Sequence, residues 1–142
     1  MMKIQNKTIY LIFLILILSC KDTKNKIPYV YVNFTISLDD PKYSSLRTVG
    51  HSISLRDVGV KGIIIYRNTH DDFLAFERNS TFEPQNGCIV DVIDPPGGIT
   101  AIDSCSGSMY LLTNGQPVEG PASIPLKQYG TSFNDPFLHV FN

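Results

Sequence analysis

The amino-acid sequence predicts an all-β protein built as an antiparallel layered β-sandwich, and three observations carry that expectation. Apolar residues recur with period two in short segments. Turn-forming residues separate those segments at close intervals. Beyond the N-terminal apolar run, no window shows the i, i+3, i+4 apolar spacing of an amphipathic helix.

The elements follow in order. Val30, Val32, Phe34 and Ile36 alternate with Tyr31, Asn33 and Thr35, which predicts a strand over residues 30–36 with one face in the core. Ile53-Ser54-Leu55 is a short second candidate. Ile63-Ile64-Ile65-Tyr66 has no polar face, so this strand is expected to be buried on both sides. Phe73-Leu74-Ala75-Phe76-Glu77 pairs with it as a hairpin across the polar turn Asn68-Thr69-His70-Asp71-Asp72. Ile89-Val90-Asp91-Val92-Ile93 and Ile99-Thr100-Ala101-Ile102 flank Pro95-Pro96-Gly97-Gly98, a sequence that breaks a strand and turns the chain. Met109-Tyr110-Leu111-Leu112 runs into Asn114-Gly115, the dipeptide that best tolerates positive φ in a type I′ hairpin. Residues 126–131 and Phe137-Leu138-His139-Val140-Phe141 are the last two strands, around a turn at Asn134-Asp135-Pro136.

The N-terminus stands apart from this pattern. Lys3 and Lys7 precede an almost unbroken apolar run over residues 9–18, which leads to Ile17-Leu18-Ser19-Cys20. The run is short for a membrane span, which takes about twenty residues, and suits the h-region of a signal peptide. Residues 1–19 are therefore expected to be a lipoprotein signal peptide, cleaved before Cys20, whose sulfur carries the lipid. An uncleaved anchor helix is the alternative. Either reading places the rest of the chain in the bacterial cell envelope, facing the periplasm or the outer membrane. Residues 20–28, with Lys21-Asp22-Thr23-Lys24-Asn25-Lys26 before Pro28, are polar and aperiodic and read as a tether. Residues 29–142 form one β domain.

The 142-residue chain has 12 basic and 13 acidic residues, and loss of residues 1–19 would take away two lysines and no acid. No basic patch is present to recruit nucleic acid. The candidate chemistry is thin. Asp103, Ser104, Ser106 and Ser108 crowd one segment, but Ser106-Gly107-Ser108 lacks the Gly-x-Ser-x-Gly elbow and has no histidine nearby. Those serines are expected to satisfy backbone groups in a tight turn. His70-Asp71-Asp72 has a metal-like composition, yet adjacent residues in a turn seldom converge on one ion; a solvated turn explains the same letters. His139 alternates with Leu138 and Val140 and is expected to face away from the core.

One stretch carries more. Asp103-Ser104-Cys105-Ser106-Gly107-Ser108, followed by Tyr110-Leu111-Leu112, Gly115, Gly120-Pro121-Ala122 and Pro125-Leu126-Lys127-Gln128-Tyr129, resembles the C-terminal half of small Rieske-like lipoproteins. The resemblance implies a Rieske-like fold, with a loop subdomain at about residues 79–115 set on a larger sheet base. In that family a Cys-x-His loop and a Cys-x-x-His-Gly-Ser loop together hold a [2Fe–2S] cluster, through two thiolates and two imidazoles. Here Ser80 and Phe82 stand at the first pair of ligand positions, and Asp103 and Ser106 at the second. None of the three histidines, His51, His70 and His139, lies in either loop.

The resemblance therefore implies a scaffold whose metal ligands are gone, with no cofactor. A [2Fe–2S] cluster with unrecognised ligands remains the alternative. It also implies that Cys88 and Cys105 pair, since members with a disulfide have a cysteine just before the second-loop histidine bonded to one in the first loop. Two free thiols are the other possibility. Phe82 is expected as an apolar plug in the space a cluster would fill, and Gly120-Pro121-Ala122 as a cover packed on the loops. The implied role is non-enzymatic: a lipid-tethered binding or accessory module with an envelope protein as its possible partner.

Overall fold

The structure is a computed structural model and describes residues 26–142. The expected signal peptide, Cys20 and most of the tether lie outside the described residues.

Ten strands form two antiparallel sheets among the described residues. β1 (Asn33–Ser37), β2 (Ser52–Leu55), β3 (Ile63–Arg67), β4 (Phe73–Glu77), β9 (Gln128–Asn134) and β10 (Phe137–Phe141) make the larger one, in the order β1-β10-β9-β4-β3-β2. β5 (Val90–Val92), β6 (Thr100–Asp103), β7 (Met109–Leu111) and β8 (Pro117–Glu119) make the smaller one in sequence order. The smaller sheet continues past Gly115, the expected end of the loop subdomain, to Glu119.

Period two explains how the layers stack. In β3 and β4, Ile63, Ile65, Phe73 and Ala75 face one apolar cluster with Leu46, Tyr129, Leu138 and Val140. The alternate residues Ile64, Tyr66 and Phe76 face a second cluster with Val90, Ala101, Tyr110 and Leu112 of the small sheet. All five residues of β3 are buried for this reason: its two faces serve two cores. The hairpin pairs Ile63 with Glu77 and Arg67 with Phe73, as the sequence led one to expect.

Three local features depart from the expectation. A 3-10 helix, Pro41–Arg47, follows β1; it starts at Asp40, whose side chain accepts from Lys42 N, and it buries only Leu46. A helix of this kind has no 3.6-residue apolar stripe to read. β8 has no buried residue and exists through its pairing to β7. At Asn114-Gly115 only Gly115 has positive φ, at 72°. A type I′ turn needs positive φ at both central residues, so the connection is instead a wider turn in which Gly115 N donates to Leu111 O at 2.7 Å.

Candidate functional site

Two connections meet at one end of the small sheet. The first, residues 78–89, links β4 to β5; Ser80 N donates to Cys88 O at 2.9 Å, and Asn79 Nδ2 donates to Ser80 O and Pro84 O, each at 3.1 Å. The second, residues 104–108, links β6 to β7. It closes with Asp103 N donating to Ser108 O at 2.9 Å and Gly107 N to Asp103 O at 2.8 Å, with Gly107 at φ 75°. Tight turns of this kind favour glycine at the left-handed position.

Between the loops lies a buried polar network. Ser80 Oγ and Ser106 Oγ both donate to Asp103 Oδ2 at 2.7 Å, and Cys105 N donates to Asp103 Oδ1 at 2.9 Å. Asp103, Ser80 and Ser108 are fully buried. Burial works against the Asp103 charge, but the hydroxyls of Ser106 and Ser80 and the backbone N–H groups of Cys105 and Ser106 outweigh it and hold the carboxyl below its ordinary range. The serines also serve the backbone: Phe82 N donates to Ser80 Oγ, Ser108 N to Ser106 Oγ and Ala122 N to Ser108 Oγ. Among the described residues no buried side-chain nitrogen or oxygen lacks a partner.

A disulfide joins the loops. Cys88 and Cys105 are bonded, with Cα atoms 6.1 Å apart and a sequence separation of 17. Closing a loop of that length contributes about 3 kcal/mol by the chain-entropy estimate.

The segment after β8 covers the second loop. Gly120 has φ 85°, and a Cβ there would sit 2.6 Å from Ser108 Cα, so glycine is required by both conformation and space. Thr81 Oγ1 donates to Ile124 O at 2.7 Å and lies 3.0 Å from Tyr110 Oη, which ties the first loop to this cover. Thr81, Phe82, Glu83, Pro121, Ala122 and Ile124 line an open groove beside the network.

The structure thus brings together the side chains of Ser80, Asp103 and Ser106, while Phe82 joins them only through its backbone N–H. Phe82 is half-buried, borders the groove and belongs to neither apolar cluster. The expected plug is replaced by hydrogen-bonded hydroxyls around Asp103. His70 and Asp71 are more than 80% exposed and 3.7 Å apart in the β3–β4 turn, at the far end of β4 from Ser80. His139 bonds to Asn33 across the β1–β10 pair at 2.8 Å. His51 packs beside Gly97, at the opposite end of β6 from Asp103.

Glu77 was missed as a site-building residue. It is fully buried and accepts from Val60 N, Lys61 N, Asn79 N and Tyr129 Oη, at 2.7 to 3.0 Å. Burial, and then the Glu77 carboxylate, push the Tyr129 phenol above its ordinary range, so it serves Glu77 as a donor. The signal was present in the sequence: Phe73, Ala75 and Glu77 share one face of the strand, which puts a carboxylate on the inward side.

No protein family and no curated protein matches this chain. Among solved structures, it is similar to a chain of the complex of reduced oxygenase and oxidized ferredoxin in carbazole 1,9a-dioxygenase, with a TM-score of 0.51 and 16% identity over 80% of this chain and 94% of that one. It is also similar to the Sphingomonas yanoikuyae B1 ferredoxin, with a TM-score of 0.48 and 13% identity over 67% of this chain and 88% of that one. The first likeness establishes the fold, which is an all-β Rieske-like fold.

The donor set can be tested against the cluster that such a fold implies. A Rieske centre takes two thiolates and two imidazoles. The loop positions present the Ser80 and Ser106 hydroxyls, the Asp103 carboxylate and a phenyl ring, and the sulfurs of Cys88 and Cys105 are bonded to each other. Hard oxygen donors are poor ligands for iron–sulfur clusters, and these are already engaged with one another. The residues present do not fit the group.

Proposed function

Starting from a Rieske-like fold, we propose that this chain is an envelope lipoprotein domain that has lost the [2Fe–2S] cluster and serves as a binding or accessory module. One observation carries the reading: at the ligand positions Ser80 Oγ and Ser106 Oγ both donate to Asp103 Oδ2 at 2.7 Å. A buried, satisfied network of this kind rigidifies the loops without any metal. With the disulfide it sets a fixed tip beside the groove bordered by Phe82 and Ile124, and Ile124 is 50% exposed. A rigid tip with apolar residues at its surface suits docking to an envelope protein partner. The lipid on Cys20 would hold the domain at the membrane.

A second reading, electron transfer by a [2Fe–2S] centre, draws on the ferredoxin named in the carbazole dioxygenase complex. Iron analysis and electron paramagnetic resonance of the purified protein separate the two. The expected result is a colourless protein without iron. Stoichiometric iron, with the spectrum of a reduced Rieske centre, would overturn the proposal in favour of electron transfer.

Membrane attachment is tested separately. Cys20→Ser is expected to move the protein from the membrane fraction to the soluble fraction, because one sulfur would carry the whole anchor. Retention of that variant in the membrane would point to an uncleaved anchor helix.

A further inference from the structure

Cys88 Sγ, Cys105 Sγ and a carboxylate oxygen of Asp103 all lie within 4.8 Å of one another. Asp103 is buried, Cys88 half-buried and Cys105 exposed, so the group sits at the boundary between the loop interior and solvent. In the disulfide state the sulfurs are not ligands, because metals bind the thiolate. We infer that reduction of the Cys88–Cys105 disulfide unmasks a site for a zinc-type divalent cation, with the two thiolates and the Asp103 carboxylate as its protein ligands.

Backbone contacts hold each ligand once the sulfur–sulfur bond is gone. Ser80 N holds Cys88 O at 2.9 Å, Cys105 N holds Asp103 Oδ1 at 2.9 Å, and Asp103 N holds Ser108 O at 2.9 Å. None of these contacts involves a sulfur, so the three residues keep their places after reduction. Two thiolates on one tetrahedral zinc, at bond lengths of about 2.3 Å, stand about 3.8 Å apart. The Cα separation of 6.1 Å accommodates that spacing through side-chain rotation, which the exposed Cys105 is free to make.

The carboxylate need not turn away from its buried donor: Oδ2 keeps the bond from the Ser80 hydroxyl and offers an ion the place that Ser106 vacates. The Ser106 hydroxyl has a second acceptor in Ser108 Oγ at 2.8 Å, so it need not stay on Asp103. Electrostatics also favour occupancy of the reduced site. Two thiolates beside a buried carboxylate are mutually repulsive alone and are stabilised by a divalent cation among them. Sulfur ligands select zinc-like ions over magnesium or calcium.

The chemistry balances with a dithiol of the thiol–disulfide oxidoreductase class as reductant. The dithiol gives two electrons and two protons to the Cys88–Cys105 bond and leaves as its own disulfide. The cation then displaces one proton from each new thiol as the metal–sulfur bonds form. Exchange with the disulfide form of the same partner class runs the sequence backwards: the ion leaves as the two sulfurs take up protons, the Cys88–Cys105 bond reforms, and the partner takes the two electrons and two protons as its dithiol. The site is therefore gated by the redox state of the tip, and it depends neither on a docking partner nor on the loss of the iron–sulfur cluster.

Cadmium is a suitable probe, because its bonds to thiolate give a charge-transfer band in the ultraviolet. The full chain is reduced with a phosphine, freed of reductant without air and titrated with cadmium, with circular dichroism to follow the fold. The expected result is a saturable band at one ion per chain in reduced protein and none in oxidised protein. Cys105→Ser should remove the band, and Asp103→Asn should keep it with affinity weakened by about tenfold or more. Because Asp103→Asn could disturb the loops, Cys105→Ser is the deciding variant, since it changes an exposed side chain. No band in reduced protein, loss of the fold on reduction, or a band of full size in Cys105→Ser would each overturn the inference.

Discussion

Glu77→Ala is expected to lower the free energy of unfolding by about 4 kcal/mol, a loss at the upper end of what a single substitution produces. Glu77 has no solvent exposure and accepts from four donors: Val60 N, Lys61 N, Asn79 N and Tyr129 Oη. Alanine would leave these donors without a partner, at about 1–3 kcal/mol for each one that water cannot reach. It would also leave a cavity where the side chain was. The loss is a large part of the roughly 5–15 kcal/mol that typically holds a domain together.

The effect should also be local. Val60 and Lys61 belong to the segment between β2 and β3, and Asn79 opens the first loop, so hydrogen exchange at these three amides should speed up ahead of the rest. Glu77→Gln is expected to cost about half as much, since its amide oxygen still accepts while its NH2 faces donors. Equal stability of Glu77→Ala and wild type in chemical denaturation would show that the carboxylate does not hold these segments.

Asp103→Ala is expected to cost about 3 kcal/mol. The Ser80 hydroxyl is fully buried and would lose its acceptor, and Cys105 N would lose the partner that shapes the second loop. The Ser106 hydroxyl would be spared, because it can turn to Ser108 Oγ. The same residue sets an acid sensitivity. Its folded pKa is lowered despite burial, so its contribution to stability is fully present above the unfolded value of about 4 and is lost as pH falls through the folded value. Wild type should therefore lose thermal stability from about pH 5 downward more steeply than Asp103→Asn, which has no proton to take up at that position. Parallel pH profiles for the two proteins would sink the assignment.

Alternation in the sequence marked the strands that carry a core face, and continuous apolarity marked Ile63 to Tyr66 as the layer shared by two cores. Turn chemistry placed Pro95-Pro96-Gly97-Gly98 between two paired strands. Resemblance put Ser80, Asp103 and Ser106 at corresponding positions in two loops and suggested the cysteine pair, and the structure brings those residues together. Elements with no apolar pattern escaped: the 3-10 helix Pro41–Arg47 buries one side chain, and β8 is defined by hydrogen bonds to a neighbour. Phe82, expected as filler from the resemblance, borders an open groove and belongs to neither apolar cluster. Between the loops, the Ser80 and Ser106 hydroxyls bond to Asp103 instead.

The sequence by itself determined the all-β class, the antiparallel hairpins and the absence of histidine from both loops, since each depends on residue identity or on neighbours a few positions away. Only the tertiary structure decided that Ser80 and Ser106 would share the Asp103 carboxylate, that Tyr129 would reach Glu77 from 52 residues away, and that β1 would close against β10 at the far end of the chain. A hydroxyl or a carboxylate carries no periodic signal of its partner. Its choice is made when two sheets pack and leave each buried polar group one place to bond.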